Sequence, residues 1–146
     1  MIIGERFVAD LLAETPPGGK VTEGMPPIAF GPVFQMLAGY ALENVLKAIV
    51  IAREPNIVSD KRQWERLTSA QGHNLLWLCD LAKVSLEEPS RQFLERLTDA
   101  TFWIGRYPVT RRRDEMKRWK HSNSTDPDHF LRLYDRFTVI LQNATK

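Results

Sequence analysis

The sequence predicts an all-α helical bundle of four to five helices, and three observations carry that prediction. Apolar residues recur at intervals of three and four in several separate stretches, the spacing of one helix face. Nothing alternates with the two-residue period of a strand over more than a few positions, and no internal repeat occurs. Breakers and caps stand where helices should start and stop, with Pro32, Pro55, Pro108 and Asp126-Pro127 as the clearest marks.

Taken in order, residues 1–14 (MIIGERFVADLLAE) place Ile3, Phe7, Leu11 and Ala9/Leu12 near helical spacing, which predicts a short amphipathic helix. Residues 15–32 hold five prolines and four glycines, too many for a regular element, so this is an arm or loop from which Ile28 and Phe30 reach the body. Gly31-Pro32 opens the strongest helix, expected from about Pro32 to Arg53, where Pro55 ends it and biases Glu54 away from helical angles. Phe34, Leu37, Ala41, Val45, Ala48 and Ala52 share one face of it. Val33, Met36, Tyr40, Ile49, Val50 and Ile51 widen that face to most of the circumference. Such a helix is either central in its bundle or covered on a second side by a partner chain. Glu43 and Lys47 form an i,i+4 pair on its narrow polar stripe.

Residues 55–72 read as a polar connection with a helical turn around Lys61–Leu67. Gly72-His73-Asn74 then opens a helix with Leu75, Leu78, Leu81/Ala82, Leu76 and Cys79 on its apolar face, to about Val84. Glu87-Glu88-Pro89 starts the next, its acids suiting the positive end of the helix dipole. Phe93, Leu97, Ala100 and Ile104 with Leu94 and Thr101 carry it to Gly105-Arg106-Tyr107, and Pro108 stops it. Asp126 is the expected N-cap of the last helix, whose face is Phe130, Leu133/Tyr134, Phe137 and Ile140/Leu141.

Composition bounds the rest. The chain has 146 residues, enough for a single domain (1–146) that buries roughly two-thirds of its unfolded surface without a metal or disulfide staple. Four Trp, seven Phe and three Tyr exclude a solvated coil as the general state. Cys79 stands alone, which excludes a disulfide framework and fits a reducing compartment. Purely apolar runs such as Ala48–Ala52 are far shorter than the ~20 residues of a membrane span. The start lacks the basic region of a signal peptide. The expected address is the cytoplasm, with no membrane.

The net charge of +2 conceals its own distribution. Residues 1–60 carry four basic and seven acidic side chains, and 61–105 and 121–146 are balanced. Residues 106–120 hold seven basic side chains (Arg106, Arg111, Arg112, Arg113, Lys117, Arg118, Lys120) against Asp114 and Glu115. This basic connection, running to about 126, attracts polyanions by Coulomb force and counterion release. Trp103, Tyr107 and Trp119 accompany it, and rings among cations suit the stacking of unpaired bases. The plain alternative is a solvated loop whose rings belong to the core.

Other chemistry is sparse. His73 could carry a proton, given a histidine's titration near neutrality, or could bond a neighbouring backbone group or carboxylate as a structural residue. His121, Asp126, Asp128 and His129 form only a loose polar group without metal-ligand spacing, so no metal and no cofactor is expected. Gly18-Gly19-Lys20 lacks the strand and the second half of a phosphate loop. Cys79 lies on an apolar face and reads as core. For Glu43, an internal pair with Lys47 or with an arginine of 106–113 is the simple explanation.

Together, Tyr40-Ala41-Leu42-Glu43-Asn44-Val45-Leu46-Lys47-Ala48, then Gly72-His73-Asn74-Leu75, then Trp103-Ile104-Gly105-Arg106-Tyr107-Pro108 form an ordered set. This order resembles the HEPN (higher-eukaryote and prokaryote nucleotide-binding) family, in particular its small stand-alone bacterial members, with an LE-x-x-LKA helix, a GH-x-L helix start and a helix ending in RYP. The resemblance covers about residues 33–108, and the remainder only by helical pattern. It implies a bundle of about four helices, usually a homodimer, here through the 32–53 helix, that binds RNA or a nucleotide.

Catalytic members of that family are metal-independent ribonucleases with an Arg-x(4–6)-His motif, in which His moves a proton at the 2′-hydroxyl or leaving oxygen and Arg holds the phosphate. This chain departs from that pattern. Seven residues separate Arg113 from His121 and two separate Arg118 from it, and neither fits. Six residues separate Arg66 from His73, which does fit, but His73 belongs to the GH-x-L start. Binding without catalysis is therefore the expectation, with Arg106, Arg111, Arg112 and Arg113 on phosphate, Lys117, Arg118 and Lys120 adding field, and Tyr107 or Trp119 stacking. The alternatives are a ribonuclease of toxin–antitoxin or defence type using His121 or His73, and a protein-interaction module whose basic segment docks an acidic partner protein.

Overall fold

The computed structural model describes residues 31–104 and 125–146. The helix expected at 1–14, the arm up to residue 30 and the 106–120 segment lie outside these residues. Five α-helices make up the described part: α1 (Gly31–Arg53), α2 (Lys61–Thr68), α3 (Leu75–Leu81), α4 (Glu88–Asp99) and α5 (Asp126–Ala144). Short 3-10 turns at Pro55–Val58 and Ala70–His73 flank α2, and α4 runs on as a π-helical turn over Ala100–Ile104. Among the described residues no strand occurs, so the all-α prediction stands.

Helix α1 is the axis of the bundle and packs against α3, α4, the π-turn and α5. Ala38, Leu42, Leu46, Ile49 and Val50 on α1 are buried against Leu75, Leu78 and Cys79 of α3, Phe93, Leu94 and Leu97 of α4, and Phe130, Leu133 and Phe137 of α5. Each fully buried Leu, Ile or Phe contributes about 1.5–3 kcal/mol relative to exposure. The buried line is not the stripe marked out by the sequence spacing. Leu37 is 37% exposed and Val33 44%, with Ala41, Val45, Ala48 and Ala52 only half-buried. On a helix apolar nearly all round, periodicity cannot choose the inner side, and close neighbours do. At Gly39 a Cβ would meet the Thr101 methyl and stand 3.2 Å from the Leu97 carbonyl oxygen, so only glycine lets α1 approach α4 there. By length and composition Val33–Arg53 could also cross a membrane. In this bundle its apolar surface serves the core, with Glu43 and Lys47 midway along it.

The 55–72 connection is more helical than its polar composition suggests. Ile57 and Leu67 anchor it in the core, and Asp60 caps α2 by accepting from the Gln63 backbone N–H at 3.1 Å. That bond holds the Asp60 carboxyl below its usual range. Asn74 caps α3, accepting from the Trp77 N–H at 3.0 Å, and Thr98 of α4 accepts from the Leu75 N–H at 3.2 Å. Helix α3 closes three residues before the expected Val84. The Val84 N–H reaches the Cys79 carbonyl at 2.9 Å and the Lys83 N–H reaches Asp80 at 3.0 Å, a Schellman ending with Lys83 at φ 54°.

At α5 the expected cap is corrected. Thr125 is the N-cap and makes no side-chain capping bond, while Asp126 is the first helical residue. The Asp126 carboxylate instead accepts from Arg96 of α4, and a charge-assisted bond to a guanidinium outcompetes a bond to backbone N–H.

Candidate functional site

The polar centre of the described fold is a carboxylate shared by two cation-capable side chains. Glu43 lies mid-α1 and is 5% exposed, far from water for an acid. One turn on, Lys47 places Nζ 2.7 Å from Glu43 Oε1, the i,i+4 pair expected from the sequence. Glu43 Oε2 lies 2.9 Å from Nδ1 of His73, thirty positions away along the chain. A carboxylate salt-bridged to lysine only accepts, so the hydrogen sits on Nδ1.

Local folding explains how His73 arrives there. Residue 72 packs against the carbonyl of Leu67 so closely that any Cβ would collide with it, and Gly72 alone permits the turn. Asn74 then caps α3, leaving His73 between the 3-10 turn and the helix. Across from it, the edge of Phe102 in the π-turn meets the imidazole with ring centroids 5.9 Å apart at 84°. The His73 side chain keeps 34% of its surface exposed, and no hydrogen bond from a described residue occupies Nε2. The pairing of Glu43 with Lys47 and of His73 with a carboxylate follows the simpler of the sequence readings for both residues.

A second polar group joins α4 to α5. Arg96 donates to Asp126 at 2.5 Å and lies over the Phe93 ring. The His129 imidazole stacks on the same Phe93 ring at 4.8 Å and 7°, and its Nε2 is 3.2 Å from the Ser90 hydroxyl. Burial first, and the charge of Arg132 next, hold His129 below the usual histidine value. Asp126 and His129 therefore serve an interhelical junction. Among the described residues no group of three or more His, Cys, Asp or Glu could hold a metal.

Other singled-out residues are accounted for. Cys79 is 1% exposed, and burial pushes its thiol up to about 12, the opposite of a nucleophile. Arg66 lies over the Trp77 ring at 5.6 Å, and no hydrogen bond or ion pair joins it to His73. Gln35 is wholly buried with neither amide atom bonded. A recess lined by Asn74, Leu76, Glu95, Thr98 and Asp99 carries two carboxylates, which repel a polyanion. Arg106, Tyr107, Arg111, Arg112, Arg113, Lys117, Arg118, Trp119, Lys120 and His121 lie outside the described residues. Sequence reasoning missed the Arg96–Asp126 and Ser90–His129–Phe93 contacts, which span 30 and 39 positions and leave no local signal.

Compared with protein-family models, curated proteins and solved structures, the chain matches none.

Proposed function

We propose that this chain is a HEPN-like helical domain that binds RNA or a nucleotide through its 106–120 segment, without catalysis, as a homodimer. The observation that carries the reading is the density of positive charge there, seven basic residues against two acidic in fifteen positions of a chain otherwise neutral or acidic. The meeting of Glu43, Lys47 and His73 supports it. The residues of the LE-x-x-LKA and GH-x-L segments that carry the resemblance join in one network, which gives their order along the chain a structural purpose.

Catalysis is disfavoured because Arg66, the one arginine at the ribonuclease spacing, is engaged with Trp77 rather than with His73. A homodimer through α1 is favoured by its outward stripe, where Val33 and Leu37 are exposed and Ala41, Ala48 and Ile51 only half-buried. Sedimentation of wild type against Leu37→Lys tests the dimer, which the charge should dissociate.

The test of binding is replacement of Arg111, Arg112 and Arg113 together by Ala, read by titration of a single-stranded oligoribonucleotide at several salt concentrations. Affinity should fall and the slope of log K against log salt should flatten by about 2, near 0.7 for each lost phosphate contact. Unchanged affinity and slope would remove the assignment.

A further inference from the structure

We propose that Ser90 and His129, which meet at the junction of α4 and α5, form a nucleophile and base that hydrolyse small acyl esters. The pair involves none of residues 106–120 and stands independently of the polyanion reading, which disfavours only the cleavage of RNA.

Ser90 Oγ lies 3.2 Å from Nε2 of His129, the reach that a nucleophile and its base require. That nitrogen is the hydroxyl's one hydrogen-bond partner among the described residues. Both residues are only half-buried, so a substrate can approach them. The imidazole is held in one plane by its stacking on Phe93, with centroids 4.8 Å apart at 7°, and Phe93 is itself fully buried. A base must be neutral to take a proton. Burial first, and the charge of Arg132 next, keep His129 in that form at neutral pH, with Arg96 adding a smaller part. The Asp126 carboxylate acts the other way and favours the imidazolium that the reaction creates.

What separates this pair from a purely structural hydrogen bond is its place in α4. Ser90 is the third residue of that helix, in the turn whose N–H groups have no acceptor within it. Glu87, the N-cap, makes no side-chain bond, Pro89 has no N–H, and the first backbone bond runs from the Arg91 N–H to the Glu87 carbonyl at 3.0 Å. Among the described residues the N–H groups of Glu88 and Ser90 are therefore open. One belongs to the nucleophile and the other stands two positions before it, and two such donors hold the oxyanion of acyl transfer. Ser90 Oγ adds to the ester carbonyl carbon as its proton passes to Nε2, and charge builds on the carbonyl oxygen beside those donors. The alcohol leaves with the proton from Nε2. Water, deprotonated by the same nitrogen, then releases the carboxylic acid and restores the Ser90 hydroxyl.

The experiment treats the full chain at about pH 8, above the ordinary histidine range, with a fluorophosphonate and with p-nitrophenyl acetate. Ser90 Oγ should displace fluoride from the first as its proton passes to His129, leaving one label per chain on the peptide that holds Ser90, read by mass spectrometry. Ser90→Ala should lose that label and the acetate hydrolysis that depends on it. His129→Phe, which keeps a ring on Phe93, should slow both by about 10²- to 10⁴-fold, the worth of a general base, with a urea midpoint close to wild type. Ser90→Thr keeps a hydroxyl and should retain part of the reactivity. No label on native wild type, or label confined to other residues, overturns the proposal. So does acetate hydrolysis that neither Ser90→Ala nor His129→Phe changes. Labelling of Ser90 as fast in the urea-unfolded chain as in the native one overturns it without any variant, because the reactivity would then owe nothing to the junction.

Discussion

Arg96 and Asp126 meet 2.5 Å apart across the α4–α5 junction, with side chains 14% and 2% exposed. Among the described residues this ion pair joins the last helix to α4 in a largely buried setting. Two charges taken out of water gain little net stability together, but removing one leaves the other buried and uncompensated. Asp126→Asn or Asp126→Ala should therefore destabilise the fold by about 3–5 kcal/mol, measured by chemical denaturation. The double replacement Arg96→Met, Asp126→Leu should recover most of that loss, because an apolar pair leaves no stranded charge. A single variant as stable as wild type would show that water reaches the pair.

The neighbouring His129 makes the same junction sensitive to acid. Its folded value is held below the usual 6.5 by burial and by Arg132, with Asp126 opposing and Arg96 adding to the depression. The unfolded chain therefore binds the proton first as pH falls. Stability should be full above about 6.5, decline as pH drops below it, and level off only beneath the lowered folded value. Melting midpoints between pH 7.5 and 5 should show this decline, and His129→Phe, which keeps a ring on Phe93, should shed the part due to this residue. A decline of equal size in that variant would place the acid sensitivity elsewhere.

Cys79 offers a clean report on the core. A thiol raised to about 12 has roughly one part in ten thousand as thiolate at pH 8. Aromatic disulfide reagents should label the native protein orders of magnitude more slowly than the denatured one. Labelling at a rate independent of denaturant would mean that α3 opens freely.

Gln35 predicts a gain. Its amide is wholly buried without a hydrogen-bond partner, a condition that costs about 1–3 kcal/mol. Gln35→Met keeps the length and removes the two stranded polar atoms. The midpoint of urea unfolding should rise, by about 1 kcal/mol after allowing for imperfect packing. A fall would reveal a bond that the amide makes.

These residues also show where the sequence was legible. The helix boundaries marked by Pro55, Asn74 and Pro89 were, because those residues act within a few positions of themselves, whereas the close of α3 falls three residues short of the expected Val84. The faces of α4 and α5 were, because polar residues fill their other sides. The inner face of α1 was not, since a helix apolar all round is oriented only by the close approach at Gly39. Nor was the partner of Glu43, where Lys47 was visible at one turn but His73 lies thirty positions off and arrives by a turn that Gly72 allows. Asp126 was misread as a cap for a similar reason. Its rival partner Arg96 lies on a different helix, and local capping rules do not weigh distant competitors.

Lys83 supplies the last test, and it is one of backbone rather than charge. It closes α3 at φ 54°, the left-handed region in which a side chain crowds the following carbonyl at a cost of about 1–2 kcal/mol. Glycine avoids that crowding but adds freedom to the unfolded chain, worth up to about 1 kcal/mol in the other direction. The Lys83 ammonium reaches Glu54 only at 3.5 Å with both side chains largely in water, an interaction of small worth. The hydrogen bonds of the ending, Val84 N–H to Cys79 and Lys83 N–H to Asp80, belong to the backbone and survive the change. Lys83→Gly should therefore stabilise by about 0.5–1 kcal/mol, read as a higher urea midpoint at unchanged slope. Lys83→Ala, which keeps a Cβ but drops the ammonium, should fail to do so. If alanine stabilised as much as glycine, the gain would come from removing the charge and not from relieving the backbone.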